Sequence, residues 1–235
     1  MKKLIFGDIH CRKIWKDIIR TENPDHVIFL GDYISTHEVI TDEDEFINLL
    51  EILEYKENNS SMVTLLRGNH DLEPFHNEMD SYFCHPYSGG FSSQYLRESK
   101  DRFSKLTQWI YIDEKNKIIF SHAGISKIWM KYYEIESIFD INNLPLVCQE
   151  MGFTCGTDFF DNNGRSPYQP PTWIRPDTLY EVAIPEYTQV IGHTRLKDDN
   201  IKCIRCLNNE EMWLCDTLPN QYLTIENDDF IIKNI

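Results

Sequence analysis

Short apolar runs alternate along the chain with longer stretches whose apolar residues recur every three or four positions. "KKLIFGDIH" (2–10), "DHVIFLGDYI" (25–34), "SMVTLLRGNHD" (61–71) and "KIIFSHAG" (117–124) read as buried strands. Between them "RKIWKDIIRTEN" (12–23), "DEDEFINLLEILEYKE" (42–57) and "SSQYLRESKDRFSKLTQWI" (92–110) carry helical periodicity, and "ISKIWMKYYEIESIFDI" (125–141) opens a further helical stretch. This βαβα order predicts an α/β fold with strands covered by helices. From about 151 to 177 the periodicity dissolves into Gly, Asn and Pro, and a loop of that length in a compact domain is usually functional. "YTQVIGHTRL", "NIKCIRCL", "EEMWLCDT" and "QYLTIENDDFIIKNI" then read as short C-terminal antiparallel strands. No repeat or linker divides the chain, so residues 1–235 are expected to form a single domain with an active-site loop at about 151–177.

Composition narrows the partners. A formal net charge of -15 and a pI near 4.9 argue against bulk nucleic-acid binding, which needs clustered Lys and Arg. No run approaches the roughly 20 apolar residues of a membrane span, and "MKKLIFGDIH" lacks the apolar length of a signal peptide. The odd count of 7 cysteines fits reduced thiols better than a disulfide framework, which places the protein in the cytoplasm.

The strand ends carry the chemistry. Apolar runs terminate in Gly7-Asp8-Ile9-His10, Gly31-Asp32, Gly68-Asn69-His70-Asp71, Ser121-His122-Ala123-Gly124 and Gly192-His193-Thr194. One Gly-Asp after a strand is an ordinary turn. Independent turns have no reason to supply carboxylates, imidazoles and an amide at the ends of separate strands, and in an α/β sheet those ends converge. Mixed oxygen and imidazole donors suit Mn, Fe or Zn, and so many side chains suit two cations sharing a carboxylate better than one with open positions.

The ordered blocks GDxH, GD, GNHD, H and GH, from Asp8 to His193, resemble the calcineurin-like metallophosphoesterase superfamily. "LLRGNHD" is similar to the "LLRGNHE" of its serine/threonine phosphoprotein phosphatases, and "GDYIS" to their "GDYVD". The resemblance implies a two-sheet β-sandwich flanked by helices. It also implies two divalent metal ions, Mn favoured with Fe or Zn admissible, with Asp8 and His10 on one, Asp32 bridging, and Asn69, His122 and His193 on the other. The implied chemistry is attack on a phosphate ester by a metal-bridging hydroxide, with His70 protonating the leaving oxygen. The preceding Gly68 is expected to let the chain turn.

"PPTWIRPD" resembles the segment that supplies a phosphate-binding arginine in those phosphatases, which makes Arg175 the substrate clamp. Arg195 and Arg67 are further substrate-binding candidates, and Arg165 in "NNGRSPY" is another. Two departures stand out. Ser35 and Thr36 occupy the positions of an acid that orients the catalytic histidine and of a phosphate-binding arginine, and Arg195 replaces the second His of the GHxH block found in other members. Cys203, Cys206 and Cys215 lack the fourth ligand and paired spacing of a structural zinc site. The reading is a phosphomonoesterase acting on a phosphorylated small molecule, nucleotide or phosphoprotein. A phosphodiesterase or dinucleoside polyphosphate hydrolase is the alternative, and a metal-binding scaffold for a protein partner is the non-enzymatic one.

Overall fold

β1 (Lys2–Phe6), β2 (His26–Phe29) and β3 (Val63–Leu66) pair in parallel because α1 (Trp15–Glu22) and α2 (Asp42–Asn58) carry the chain back between them. In this computed structural model the residues described are 1–36, 40–75, 91–146, 151, 153, 161 and 163–235. The α2 start is fixed by Thr41, whose hydroxyl accepts the Asp44 N–H at 3.0 Å, and by acids in the first turn that match the helix dipole.

After β3 the chain forms α3 (Asn69–Leu72), α4 (Phe91–Glu98), α5 (Lys100–Leu106), β4 (Thr107–Gln108), β5 (Ile110–Asp113), β6 (Ile118–Ser121) and α6 (Lys127–Tyr132). Then come α7 (Pro176–Val182), β7 (Thr188–Ile191), β8 (Lys202–Arg205), β9 (Glu211–Leu214), β10 (Gln221–Glu226) and β11 (Asp229–Asn234). The strands make two sheets, ordered β11-β10-β1-β2-β3-β4 and β5-β6-β7-β9-β8.

Strand alternation assigns each apolar residue to a layer. Leu4, Phe6, Val27, Phe29, Val63 and Leu65 pack with Trp15 and Ile18 of α1 and with Leu49, Ile52 and Leu53 of α2. Their neighbours Ile5, Ile28, Leu30 and Leu66 pack instead with Ile118, Phe120 and Val190 of the second sheet. Both faces of these strands are therefore buried, which explains their unbroken apolar runs. Each such side chain contributes roughly 1.5–3 kcal/mol by leaving water. On the outer face of the second sheet, Ile191, Met212 and Leu214 cluster with Leu179 and Ala183 at α7. The result is a helix-flanked β-sandwich, as the resemblance implied.

Three local expectations change. The stretch 92–110 is not one helix: it breaks at Ser99, and Thr107 to Ile110 turns into strand, where β-branched and aromatic residues pack well. The irregular segment 151–177 ends in α7, opened by Pro176 in the first-turn position where a missing N–H costs nothing; residues 152, 154–160 and 162 lie outside the described residues. In the C-terminal quarter β8–β9 and β10–β11 are antiparallel, whereas β9 lies parallel to β7.

Candidate active site

The C-terminal ends of β1, β2, β3, β6 and β7 deliver Asp8 and His10, Asp32, Asn69 and His70, His122, and His193 to one rim. Ligand atoms of Asp8, His10 and Asp32 all lie within 4.8 Å of one another. Asp32 Oδ2 stands between two imidazoles, 3.8 Å from His10 Nε2 and 3.4 Å from His122 Nε2. Asn69 Oδ1 is 3.0 Å from His122 Nε2, and Asp8 Oδ1 accepts the His193 N–H at 2.8 Å. The His122 and His193 rings are 5.1 Å apart, and His193 Nε2 is buried with no hydrogen-bond partner.

Backbone carbonyls orient the imidazoles. His10 Nδ1 donates to Ser35 O and His122 Nδ1 donates to Leu30 O, which turns each Nε2 toward the carboxylates. Oriented imidazoles, paired carboxylates, an amide oxygen and an orphaned buried nitrogen fit divalent transition cations. Backbone strain gathers here as well: His10, Asp32 and His193 have φ of 42°, 52° and 60°, left-handed values that the surrounding packing must hold.

Gly68 and Gly192 serve space rather than turning. Gly68 has an ordinary φ of -94°, and a Cβ there would lie 2.0 Å from Asp32 Oδ1. At Gly192 a Cβ would lie 2.2 Å from Asp8 Oδ1. The carboxylate at one strand end occupies the side-chain space of the glycine at another, so the expected turning role of Gly68 is replaced by this close approach.

Asp71 completes the scaffold and carried no role in the sequence reading. Its carboxylate accepts the N–H groups of Asp32, Tyr33 and Gly68 at 2.8, 2.7 and 2.9 Å, fixing the Asp32 loop onto the Asn69 turn. Glu45 of α2 accepts the Ser35 N–H at 3.1 Å and so steadies the loop whose carbonyl orients His10.

Burial and mutual charge set the electrostatics. Burial raises Asp8 to about 6, opposed by the His122 charge and reinforced by that of Asp32. Burial works against ionisation of Asp32 too, but the charges of His122 and His70 outweigh it and hold that carboxyl well below its usual range. Burial disfavours the His122 cation, yet Asp32 and Asp8 lift it to about 10. His193 is driven well below its ordinary value by burial and by the Arg175 and His122 charges.

The arginines separate. Arg175 Nη1 donates to His193 O at 3.0 Å and to Thr194 Oγ1 at 3.1 Å, and its charge is felt by Asp8, Asp216 and Asp32. Arg195 Nε pairs with Asp199 at 2.7 Å. Arg67 is withdrawn from the rim: its guanidinium donates to Thr107 Oγ1, Thr107 O and Ser104 O and stacks 4.6 Å from the Trp109 ring, so it acts as a brace between β3 and β4 and not as a substrate contact. Arg165 is exposed beside a 420 Å³ cavity shared with Arg175.

Comparison with known proteins places this geometry. The calcineurin-like phosphoesterase family matches residues 1–194. The chain belongs to that family. It is therefore a metal-dependent phosphoric ester hydrolase. Similar solved structures include a cold-active protein tyrosine phosphatase, at 14% identity and a TM-score of 0.60 over 99% of this chain and 76% of that one. A protein serine/threonine phosphatase from Saccharomyces cerevisiae, described as similar to human phosphatase PP5, matches at 15% identity and a TM-score of 0.56 over 100% of this chain and 79% of that one. At these identities the likeness is one of fold. No curated protein sequence matches the chain.

Asp216 is a further residue that the sequence reading passed over. It follows β9, is 6% exposed, and is raised to about 7 by burial and by the charge of Asp8. The Cys215 carbonyl before it packs so closely on Gly7 that a Cβ there would lie 2.0 Å away. The signal was present in "EEMWLCDT", an apolar strand ending in Asp as at Asp8, but without the glycine that marked the other blocks.

Proposed function

We propose that this phosphoesterase is a phosphomonoesterase of the phosphoprotein-phosphatase type, with two divalent cations, Mn favoured, and a phosphorylated small molecule, nucleotide or phosphoprotein as substrate. The observation that carries the reading is the placement of Asp32 Oδ2 between His10 Nε2 and His122 Nε2 at 3.8 and 3.4 Å. Asp8, His10 and Asp32 would hold one cation and Asp32, Asn69, His122 and His193 the other, and the pair would supply Lewis-acid stabilisation of phosphate oxygens and a nucleophilic water.

The chain's own groups do the rest. Arg175 is anchored through Nη1, and its remaining N–H groups suit the planar, bidentate recognition of a phosphate. His70 sits at the rim with its ring 5.4 Å from that of His10, and its backbone N–H donates to Asp32 Oδ1 at 3.0 Å. Burial disfavours its charge, but Asp32 and Glu73 outweigh that and raise it to about 9, and a protonated imidazole is the form a leaving oxygen requires. The odd count of 7 cysteines supports a reducing compartment, the cytoplasm. No helix among the described residues is long and apolar enough to cross a membrane.

The cavity of 420 Å³ beside Arg175, bordered by Arg165, Pro176, Thr194, Leu196 and Leu214, favours a second reading. It offers room for a bulky, anionic leaving group, as a phosphodiesterase or dinucleoside polyphosphate hydrolase requires. Turnover of a chromogenic phosphomonoester beside the matching diester, by Mn-reconstituted protein with a chelated blank, separates the two. Faster monoester cleavage that the chelator abolishes supports the first reading. A diester preference overturns it in favour of the second.

A further inference from the structure

The departure at position 35 leaves His70 without the acid that the resemblance would place there. Neither end of the Ser35 peptide unit can substitute, because its N–H is held by Glu45 and its carbonyl by His10 Nδ1. Asp71 is engaged by three backbone N–H groups, and Asp8 and Asp32 belong to the cation-binding group. One turn along from His70, however, Glu73 lies at i+3, where helical geometry brings side chains onto the same face. Its Oε1 stands 3.2 Å from His70 Nδ1, with both side chains largely covered, at 11% and 21% exposure.

We propose that Glu73 is the positioning carboxylate for His70, supplied from within the same helical turn in place of an acid at position 35. The inference rests on the reading of His70 as general acid. Glu73 holds the imidazole with Nδ1–H toward itself and Nε2–H toward the substrate. As the water oxygen forms its bond to phosphorus and the ester P–O bond breaks, the Nε2 proton passes to the departing alkoxide. His70 is left neutral, with its remaining proton on Nδ1 facing Glu73. The contact is at ion-pair distance but not aligned as a hydrogen bond, so Nδ1 has no aligned partner in this state. Such contacts commonly tighten only when substrate binds.

The test compares Glu73→Gln and Glu73→Asp with the unaltered, Mn-loaded protein on 4-nitrophenyl phosphate, whose leaving group needs little protonation, and on an alkyl phosphate, whose leaving group needs much. The expected result is a fall in kcat of about 10- to 100-fold on the alkyl ester for Glu73→Gln, with less than about threefold on the aryl ester, similar KM values, and partial rescue by Glu73→Asp. Equal losses on both esters, or none, overturn the proposal. Nitrogen-15 chemical shifts of the His70 imidazole provide a readout independent of turnover. A change at Nδ1 in Glu73→Gln supports the contact, and unchanged shifts overturn it. Should the unaltered protein cleave neither ester while the shifts still respond to Glu73, the monoesterase reading fails and the Glu73 contact stands.

Discussion

Around Asp32 the site is braced from inside the protein: Asp71 ties three backbone N–H groups, Gly68 makes room for the carboxylate, and Ser35 O and Leu30 O orient the flanking imidazoles. At the end of β7 the opposite holds. His193 Nε2 is buried without a partner, and Arg175 holds the His193 carbonyl rather than that nitrogen. One half is fixed by hydrogen bonds within the protein, and the other leaves a buried ring nitrogen open. A buried polar atom left unpaired costs on the order of 1–3 kcal/mol, a cost that a ligand meeting His193 Nε2 would remove.

The sharpest way to break the contrast is Asp32→Asn, which removes the shared carboxylate charge while keeping its shape. We expect turnover to fall by about 10³-fold or more, with the circular dichroism spectrum and cooperative melt retained. Retained activity would refute a bridging role. Asp71→Asn attacks the brace itself, since an amide presents one acceptor oxygen where the carboxylate presents two. A loss of about 1–3 kcal/mol in urea unfolding is expected, along with at least a tenfold drop in kcat, and unchanged stability would show that the loop holds without it.

Arg175→Lys tests the other half, because lysine lacks the planar fork to anchor on His193 O and Thr194 while facing a phosphate. KM should rise about tenfold with little change in melting temperature, whereas a change in stability alone would make Arg175 a structural tie. The smallest effect lies outside the site. His26 donates or accepts at Thr64 Oγ1 over 2.9 Å and is lowered to about 4 by burial and by the charges of Lys3 and Lys56. Between about 6.5, its unfolded value, and 4 the unfolded chain binds a proton that the native His26 refuses, so this group costs stability as pH falls through that window. Melting temperatures of His26→Gln and the unaltered protein, compared at pH 7.5 and 4.5, should show a shallower acid loss in the variant by a few degrees. Parallel losses would remove His26 from the account.

Much of this was legible because strand ends converge in any α/β sheet: the blocks at Asp8, Asp32, Asn69, His122 and His193 could be read as one set before their distances were known. What escaped was relational. Asp71 looked like the tail of "GNHD", and only the fold shows that its oxygens face the amides of Asp32 and Tyr33, nearly forty positions away in sequence. Asp216 lacked a preceding glycine, because the close approach at β9 is made by the Cys215 carbonyl against Gly7. Arg67 could be placed on a strand end but not aimed, and its direction is decided by Thr107 and Trp109. The helix at Pro176 was masked by its proline, which read as loop punctuation.

The position of β1 has a consequence for the order in which the protein is made. It lies in the middle of its sheet, between β2 and β10, with Lys2 opposite Glu226. A growing chain therefore leaves one edge of β1 open until β10 has been made, so the strand that leads into Asp8 and His10 gains its second neighbour long after its first. Such distant pairing is slow to form, and both edges of β1 are covered only after β10 has docked.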